Sequence, residues 1–569
     1  MKNHSFVGYV ASVALLGLAT MASAAPASQP GSADWPCWRG PDRNGLARTS
    51  PKLLDSLPPG GPKLVWKSDY IPFGWQGGWG SPVVAEGKVF LYVHWMHPNG
   101  DGKRLKPITA QFLEELGWIP GVPDDLAKNL EDAWASPSRP AAAKCPAMND
   151  LIFDNPDLDA FLAKQPELGK YIADFIATLK PDEAKKYGPF VKRRLCMRPK
   201  GFQGGETWDK LVKLSKLQDQ EFKTYSGFFG AVDRCGIPLN ADGSVEVWAP
   251  PRCTTKTDTL VCLDGATGKL LWKKDWDIPR AKGSYAYPWS TTPAAADGKV
   301  YFCGATGTYC LSAKDGSVVW EQKRAGGTQA SILVDNGLVF DPSTASAYNA
   351  GTGRLLWKTK DWHGISGTTS PVLWRTGEKK YIISAGLCFD SATGQALWSK
   401  AVPGNESTPV VADNQMVVIS SLYTLAPEGA TQVWAQKWGT YGEWRVSPLV
   451  YQGHLYCSDA GKHTWRCLDL KTGEAKWSKE GIATDMSSAV LADGKIITLG
   501  EPGHSHTEKG CGIVIFRATP DTYEEIGRFV PHAASCESPA IADGRLYFRT
   551  ESEEGDYGVV CYDLRAAEN

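Results

Sequence analysis

Histidine spacing is the feature of this sequence that points most directly to chemistry. His504 and His506 are separated by one residue, so a single loop presents two imidazole groups, which is compatible with metal binding. His463 is the third candidate ligand. The alternative is that these histidines are solvated, because surface loops are polar by default. The sharper hypothesis is one metal site formed by His463, His504 and His506.

A second set combines aromatic side chains with carboxylates and arginines. Apolar walls with a few convergent polar groups are typical of small-ligand sites, and this mixture suits a sugar, a quinone or a peptide segment. The alternative is that the aromatic residues only pack between neighbouring repeat units. The candidate ligand-binding residues are Trp75, Gln76, Trp79, Tyr285, Tyr287, Trp289, Arg324, His363, Glu406, Glu443, Trp444, Arg445, Asp485, His532 and Glu537.

Catalytic residues cannot be assigned from the sequence. No serine lies in a G-x-S-x-G elbow, and no phosphate-binding or dinucleotide-binding motif occurs between a strand and a helix. Glu406 and Glu443 are of the types that act as a paired acid and base, but the sequence does not give their separation. Catalytic residues therefore stay unknown, and an enzyme is left open with a preference for a binding protein.

A repeat of about 40 residues must position these side chains. Each unit begins with a small residue, usually followed by proline, and continues with an apolar run. It ends with an Asp-x-x-Thr-Gly turn and a tryptophan. Between Pro293 and Pro448 the steps are 39, 39, 38 and 39 residues. The eight starts are Ser81, Thr292, Ser331, Ser370, Thr408, Ser447, Ser488 and Ser538.

Four short strands in such a unit predict one blade of a β-propeller. The last unit, which starts at Ser538, ends before its tryptophan strand, and Lys63–Trp66 supplies one. That pairing would close the ring and leave no open sheet edge, whereas an open solenoid is the alternative. The predicted fold is therefore an all-β, eight-bladed propeller.

The Asp-x-x-Thr-Gly-x-x-x-Trp turns resemble the tryptophan-docking repeats of the PQQ-binding-like β-propellers. This superfamily includes quinoprotein alcohol dehydrogenases and BamB-type outer-membrane assembly factors. The resemblance covers residues 35–93 and 258–565, and Trp35-Pro36-Cys37-Trp38-Arg39-Gly40-Pro41 is similar to the N-terminal motif of exported bacterial members. The resemblance implies the fold, whereas one fold hosts many functions.

The sequence departs from the quinoprotein pattern in two ways. The resemblance implies an adjacent cysteine pair beside the quinone, and no two cysteines are adjacent here; C-x-x-C-H, which attaches haem, is also absent. No cofactor is therefore firmly predicted, although PQQ or a metal ion is an option.

The first repeat is interrupted by a segment with helical periodicity. Pro82 and Pro293, the prolines that begin the first two units, are 211 residues apart instead of about 39. Between them the pattern changes to three- and four-residue apolar spacing. We expect this helical domain to lie beside the ligand-binding loops as a lid. The predicted helical segments are Thr109–Leu116, Asp125–Trp134, Leu158–Ala163, Leu168–Leu179, Asp182–Leu195 and Trp208–Thr224.

The predicted organisation begins with a targeting segment. Lys2 and His4 precede an apolar run, and Ala22-Ser23-Ala24 offers a cleavage site, so residues 1–24 are read as a signal peptide; a membrane anchor is the alternative. Residues 25–62 form an N-terminal segment, 63–93 the closing strand and start of blade 1, 94–257 the helical insertion, and 258–569 the remaining propeller. The protein is then exported, to the periplasm or the cell exterior.

Fourteen cysteines fit an oxidising compartment. Cys303 and Cys310 flank a short turn, as do Cys457 and Cys467, so each pair is a candidate disulfide between neighbouring strands. Connectivity cannot be deduced from the sequence alone.

Charge narrows the partner class, because 61 basic and 62 acidic residues give a net charge of −1 and nucleic-acid binders usually carry a basic excess. We expect an exported propeller without a transmembrane segment that binds a small molecule or a protein partner, not a nucleic acid, and is non-catalytic. The alternatives are a PQQ-dependent or metal-assisted oxidoreductase and a BamB-like assembly scaffold.

Overall fold

The structure is a computed structural model in which side chains are present. It describes residues 33–74, 77–98, 118–140, 158–196, 207–222, 253–279, 290–324, 326–359, 369–399, 407–418, 420–436, 446–459, 463–482, 487–500, 511–534, 536–551 and 557–567, with residues 108, 110, 113, 228, 231–232 and 234–236. The predicted signal peptide lies outside these residues.

Short antiparallel strands joined by tight turns make up most of the described chain. Glycines with positive φ, such as Gly298 and Gly316, form the turns because a residue without Cβ adopts this conformation at little cost. After β1 (Lys63–Lys67), the first four-stranded sheet is β2 (Val83–Ala85), β3 (Lys88–Pro98), β4 (Cys253–Asp264) and β5 (Leu270–Asp277).

The same four-stranded sheet recurs along the chain. The second sheet is β6 (Ala294–Ala296), β7 (Lys299–Cys303), β8 (Gly307–Ser312) and β9 (Val318–Lys323). The third sheet is β10 (Leu333–Asp335), β11 (Leu338–Asp341), β12 (Ser346–Asn349) and β13 (Leu355–Lys358). The fourth sheet is β14 (Val372–Thr376), β15 (Lys379–Ser384), β16 (Leu387–Asp390) and β17 (Ala396–Ser399).

Two further sheets have this order. The fifth sheet is β18 (Val410–Ala412), β19 (Gln415–Val418), β20 (Ser421–Ala426) and β21 (Gly429–Ala435). The sixth sheet is β22 (Leu449–Tyr451), β23 (His454–Asp459), β24 (Thr464–Asp469) and β25 (Ala475–Glu480).

The remaining strands form one eight-stranded sheet, and its two halves each repeat the four-strand pattern. The first half is β26 (Val490–Ala492), β27 (Lys495–Gly500), β28 (Cys511–Arg517) and β29 (Glu525–Ala533). The second half is β30 (Ala540–Ala542), β31 (Arg545–Thr550), β32 (Gly558–Asp563) and the N-terminal β1. The halves are joined where Ala533 pairs with Thr550, and β1 pairs antiparallel with β32.

Tryptophan docking explains the Asp-x-x-Thr-Gly turn. The Asp264 carboxylate accepts the backbone N–H of Thr267 at 2.8 Å and the Thr267 hydroxyl at 2.7 Å, which fixes the turn. Gly268, with φ +72°, lies under the ring of Trp66, where an added Cβ would be 2.3 Å from the ring. The Trp66 indole donates to the carbonyl of Gly265 at 3.0 Å. The tryptophan of one sheet thereby locks the turn of the next.

Equivalent indole-to-carbonyl bonds recur around the molecule and account for the periodic tryptophan in the sequence. Together with the repeated sheets they establish an all-β, propeller-like fold. The bonds run from Trp272 to Ala313, Trp320 to Ala350, Trp357 to Ser391, Trp398 to Ala426, Trp434 to Leu470 and Trp477 to Thr519.

Five described helices lie between β3 and β4 in chain order, close to predicted segments, whereas most of the predicted segment Thr109–Leu116 lies outside the described residues. They are α1 (Asp124–Ala135), α2 (Leu158–Ala163), α3 (Pro166–Ala177), α4 (Pro181–Cys196) and α5 (Thr207–Ser215). Their apolar faces form a separate cluster that includes Leu130, Phe161, Ile172 and Phe190. The Tyr171 hydroxyl ties α3 to α1 by donating to the carbonyl of Ala133 at 2.8 Å. No helix among the described residues is long and apolar enough to cross a membrane.

The strands flanking these helices are longer than the sequence pattern suggests. β3 and β4 remain paired from Lys88↔Asp264 to Pro98↔Cys253. The intervening chain therefore leaves the sheet after residue 98 and returns before residue 253, not at 94 and 257. The histidine-rich His94–His97 stretch belongs to β3 instead of a loop.

The expected disulfides are not present among the described cysteines. Cys457 lies opposite Arg466 and Cys467 opposite Tyr456, so the two thiols are on opposite faces of their sheet. Cys303 lies opposite Thr308 and Cys310 opposite Tyr301, so these two are not direct cross-strand neighbours. Strand register, which a short turn in the sequence does not reveal, separates each pair.

Candidate functional site

The loop face is the end of the sheets that carries the loops between successive sheets and the loops between second and third strands. Five candidate residues on or near this face are described: Trp79, Arg324, His463, His532 and Glu537. The other candidates lie outside the described residues: Trp75, Gln76, Tyr285, Tyr287, Trp289, His363, Glu406, Glu443, Trp444, Arg445, Asp485, His504 and His506.

A belt of hydroxyl groups runs around the start of the innermost strands. The backbone N–H of seven of the eight belt residues donates to the Ser or Thr hydroxyl of the next unit, for example from Thr292 to Ser331 at 3.1 Å. The last unit is joined to the first where the N–H of Ser538 donates to the Ser81 hydroxyl at 3.0 Å. The other bonds run from Ser81 to Thr292, Ser331 to Ser370, Ser370 to Thr408, Ser447 to Ser488 and Ser488 to Ser538.

The channel segment, residues 35–47, crosses the space enclosed by these strands. Trp35 exchanges backbone hydrogen bonds with Val84 of β2 at 2.8 and 2.9 Å. The carbonyl of Pro36 accepts the N–H of Ala295 in β6 at 2.7 Å, and Ala47 donates to Leu491 of β26 at 2.9 Å. The N-terminal motif therefore binds the innermost strands of several sheets and occupies the channel behind the loop face.

Trp79 is fixed by contacts at the junction where the ring closes. Its backbone N–H donates to the Ser290 hydroxyl at 2.9 Å. Its ring meets Phe73 edge to face, with 6.5 Å between ring centroids. Phe73, Ala534 and Tyr557 form the small apolar cluster against which Trp79 packs. Packing between neighbouring blades accounts for these contacts of Trp79.

Arg324 forms a buried ion pair with Asp341, a residue that the sequence analysis did not select. Arg324 Nε lies 3.1 Å from Asp341 Oδ2. The same carboxylate accepts the Thr308 hydroxyl at 2.5 Å and the Ser343 hydroxyl at 2.6 Å. Burial alone would raise the pKa of Asp341, but Arg324 and these donors hold it below its usual value. Burial opposes the charge of Arg324, yet Asp341 keeps the pKa of Arg324 above normal.

Glu537 is 1% exposed and is bonded to the backbone of Arg549, which is fully buried. The backbone N–H of Arg549 donates to Glu537 Oε1, while Oε2 has no hydrogen-bond partner. Burial raises the pKa of Glu537 to about 8, against the opposing effect of Arg549. The Arg549 guanidinium donates to the carbonyls of Pro72 and Gly78, the latter at 3.0 Å. Glu537 and Arg549 thereby secure the loop that contains Trp79.

A further buried acid, Asp258, was also missed from the sequence. It accepts the Tyr92 hydroxyl at 2.7 Å, the N–H of Ala305 at 2.9 Å and the Thr306 hydroxyl at 2.7 Å. His94 Nδ1 is 3.9 Å from Asp258, and burial lowers the pKa of His94 to about 4. Through Ala305 and Thr306, the Asp258 carboxylate links the first sheet to the second. Asp258 precedes an apolar run and Asp341 follows one, and this border position is the one sequence signal that they share.

Both described histidine candidates form backbone hydrogen bonds between neighbouring segments. His463 and His532 both have positive φ, +49° and +55°. The carbonyl of His463 accepts the N–H of Ile482 at 3.0 Å, and the carbonyl of His532 accepts that of Glu551 at 2.9 Å. Within the described ranges, no group of three His, Cys, Asp or Glu side chains is arranged to hold a metal ion. The proposed partners of His463 in a metal site, His504 and His506, lie outside those ranges.

Comparison with known proteins follows the same repeats. The family described as outer membrane protein assembly factor BamB matches residues 256–387, 341–443 and 387–568, which together span more than half of the chain. The chain is 22% identical over 383 residues to a tetrathionate hydrolase of Acidithiobacillus ferrooxidans, covering 57% of this chain and 74% of that protein.

Two further relatives differ in their described roles. The chain is 23% identical over 273 residues to outer membrane protein assembly factor BamB of Moranella endobia, covering 43% of this chain and 68% of that protein. It is 28% identical over 303 residues to the dehydrogenase subunit of alcohol dehydrogenase (quinone) of Gluconacetobacter polyoxogenes, covering 48% of this chain and 36% of that protein.

Proposed function

Because the chain belongs to the family of outer membrane protein assembly factor BamB, we propose that it is an exported, eight-bladed propeller that binds a partner on its loop face. The partner is a protein or a small molecule, and the bound face is non-catalytic. The seven belt bonds that link the eight unit starts support the blade count. The separate helical cluster supports an inserted lid domain.

The observation that carries this proposal is the position of the channel segment. A small-molecule catalytic site needs a concave cavity with convergent polar groups. Here the chain's own Trp35, Pro36 and Ala47 are bonded to innermost strands of three sheets, so protein takes up part of the channel. The loop face is then the surface that remains for recognition. The BamB relative favours a protein partner, as an assembly scaffold would require.

Two described acids near this face, Asp258 and Asp341, also support binding over catalysis. A general base needs a lone pair that reaches the substrate. Asp258 and Asp341 instead accept hydrogen bonds from the neighbouring sheet. The aromatic and charged candidates of the connecting loops, including Trp289, Glu443 and Trp444, are the residues that we assign to partner contact.

Site-specific photo-crosslinking in the producing cells tests which face binds. A photoreactive phenylalanine analogue replaces Lys323, an exposed residue at the end of β9 beside Arg324. The matched control carries the analogue at exposed Asn336, in the hairpin at the opposite end of the third sheet. We expect a discrete adduct from position 323 and none from position 336. Adducts from position 336 alone would place the partner on the opposite face and contradict the proposal.

The second candidate is a PQQ-dependent or metal-assisted oxidoreductase, which the similarity to the alcohol dehydrogenase (quinone) subunit favours. The residues present do not fit a quinone well, because the chain has no adjacent cysteines and its channel is crossed by residues 35–47. Reconstitution with PQQ and calcium, assayed on primary alcohols with an artificial electron acceptor, is expected to give no turnover above background. Robust turnover would reverse this ranking.

A further inference from the structure

Two arginines of the channel segment are buried against backbone carbonyls. Arg39 is 1% exposed, and its Nη2 donates to the carbonyls of Pro448 at 2.6 Å and Asn44 at 2.9 Å. Its Nε and Nη1 have no hydrogen-bond partner. Arg43 is 5% exposed and donates to the carbonyls of Ile332 at 2.7 Å and Ser331 at 3.3 Å. Both guanidinium groups therefore lie inside the ring, at the level of the hydroxyl belt.

These two arginines contrast with Arg324 and Arg194, each of which has a carboxylate partner. Arg324 is paired with Asp341, and Arg194 with Glu131. No ion pair to Arg39 or Arg43 occurs among the described residues. Burial lowers the pKa of Arg39 to about 9. Cys37, which interacts with Arg43, does not supply a negative charge, because burial raises the pKa of its thiol.

A second, independent observation lies at the same place. Ser447 is 3% exposed, and its hydroxyl has no hydrogen-bond partner. It immediately precedes Pro448, whose carbonyl binds Arg39. Other belt hydroxyls, such as that of Ser370, accept the N–H of the preceding unit. An unused hydroxyl thus lies one residue away from the carbonyl that binds the Arg39 guanidinium, whose other N–H groups are also unused.

Burying an ion without compensation costs several kcal/mol, and an anion in charge-assisted hydrogen bonds offsets this cost. We propose that Arg39 and Ser447 bind one small oxyanion inside the ring, with Arg43 adding positive charge. The ligand class is a free tetrahedral oxyanion or the carboxylate of a small organic acid. This site is separate from the loop-face surface proposed above and does not depend on it.

Isothermal titration calorimetry of the full mature chain tests the site. Sodium sulfate and sodium succinate are titrated separately at constant ionic strength set with chloride, which distinguishes the inorganic source from the organic one. We expect saturable binding of at least one anion with a stoichiometry of one. Since chloride balances the ionic strength, general screening does not produce such a signal. The absence of saturable binding for both anions would overturn the proposal.

Matched serine variants locate the binding. Ser447→Ala removes the unused hydroxyl and is expected to weaken binding about tenfold, which corresponds to about 1.4 kcal/mol. Ser370→Ala removes a belt hydroxyl that already accepts a bond and is expected to bind as the parent does. Arg39→Lys provides a third variant with reduced binding. Should Arg39→Lys fail to fold, the serine pair still decides; equal affinities for Ser447→Ala and Ser370→Ala contradict the assignment.

Discussion

At the scale of single residues, a turn glycine that lies under a docked tryptophan carries two constraints. Gly316 has φ +71°, and an added Cβ would lie 2.6 Å from the Trp272 ring. Gly298 has a similar φ of +67° but nothing within 4 Å of an added Cβ. The pair therefore separates the backbone constraint from the contact with tryptophan.

We expect Gly298→Ala to lower the free energy of unfolding by about 1–2 kcal/mol, the cost of a left-handed non-glycine residue. Gly316→Ala should cost a further ~1–3 kcal/mol, because the Cβ forces the indole to move. Urea unfolding followed by tryptophan fluorescence measures both. Equal losses in the two variants would show that the docked indole does not constrain Gly316.

The buried carboxyl group of Glu537 should make the stability of the folded protein depend on pH, in a direction that its pKa fixes. Its folded pKa, raised to about 8 from 4.5, means that the folded protein binds more protons than the unfolded chain between these values. Its contribution to stability is therefore full below about pH 4.5 and is lost as pH rises towards 8. Relative to the parent, Glu537→Gln should show a flatter decline of Tm between pH 5 and pH 8.

Differential scanning calorimetry across this pH range measures the effect, with Glu428→Gln as control because Glu428 is exposed in a hairpin. Parallel Tm profiles for the parent and Glu537→Gln would contradict the assignment.

The buried acids also show the limit of sequence reasoning at this scale. Asp258 and Asp341 acquire their roles from donors in a neighbouring sheet, and a single sequence does not identify such donors.

At the scale of elements, β1 connects parts of the molecule that are far apart in the sequence. Trp66 in β1 is 7% exposed, packs against Tyr547 and donates to Gly265 of the first sheet. Leu64 in the same strand is 48% exposed. Trp66→Ala should cost about 3–5 kcal/mol, whereas Leu64→Ala should cost well below 1 kcal/mol. Urea unfolding of the two variants measures this difference, and comparable losses would mean that Trp66 does not lock β1 to the first sheet.

Periodicity was enough to predict an all-β, propeller-like fold. Period-two apolar runs and glycine turns define strands locally, and repeated tryptophans mark each unit. Register was not predictable, since nothing in the sequence fixes which residue faces Cys457 or Cys467. The ends of β3 and β4 were also wrong, because polar residues such as His97 and Thr255 continue the ladder without an apolar pattern.

At the scale of the whole molecule, the helices and the sheets have separate apolar cores. The helical cluster contains residues of 122–196 only, while Val89, Leu91 and Val261 of β3 and β4 belong to the main propeller core. Since Pro98 and Cys253 are paired neighbours, a short linker can replace residues 99–252. We expect this deletion to leave a folded propeller that binds its partner more weakly.

Circular dichroism and thermal melting of the deletion variant measure folding, and the crosslinking yield at position 323 measures binding. A Gly/Ser linker of equal length inserted into the Asn336 hairpin serves as a control for the linker itself. A variant that does not fold would show that the helices are part of the core. A variant that folds and crosslinks with unchanged yield would show that the helical domain does not contribute to partner binding.

The hydroxyl belt has a consequence for the order in which the molecule is made. Its last bond joins Ser538 to Ser81, residues separated by 457 positions, and β1 finds its partner strand only in β32. At roughly 5–20 residues per second of synthesis, the first strand waits on the order of a minute before that partner exists. Every shorter nascent chain is an open arc with two unpaired edges. Ribosome stalling late in the message should therefore yield fragments that chaperones must hold or proteases remove, even when all but one of the repeats have been translated.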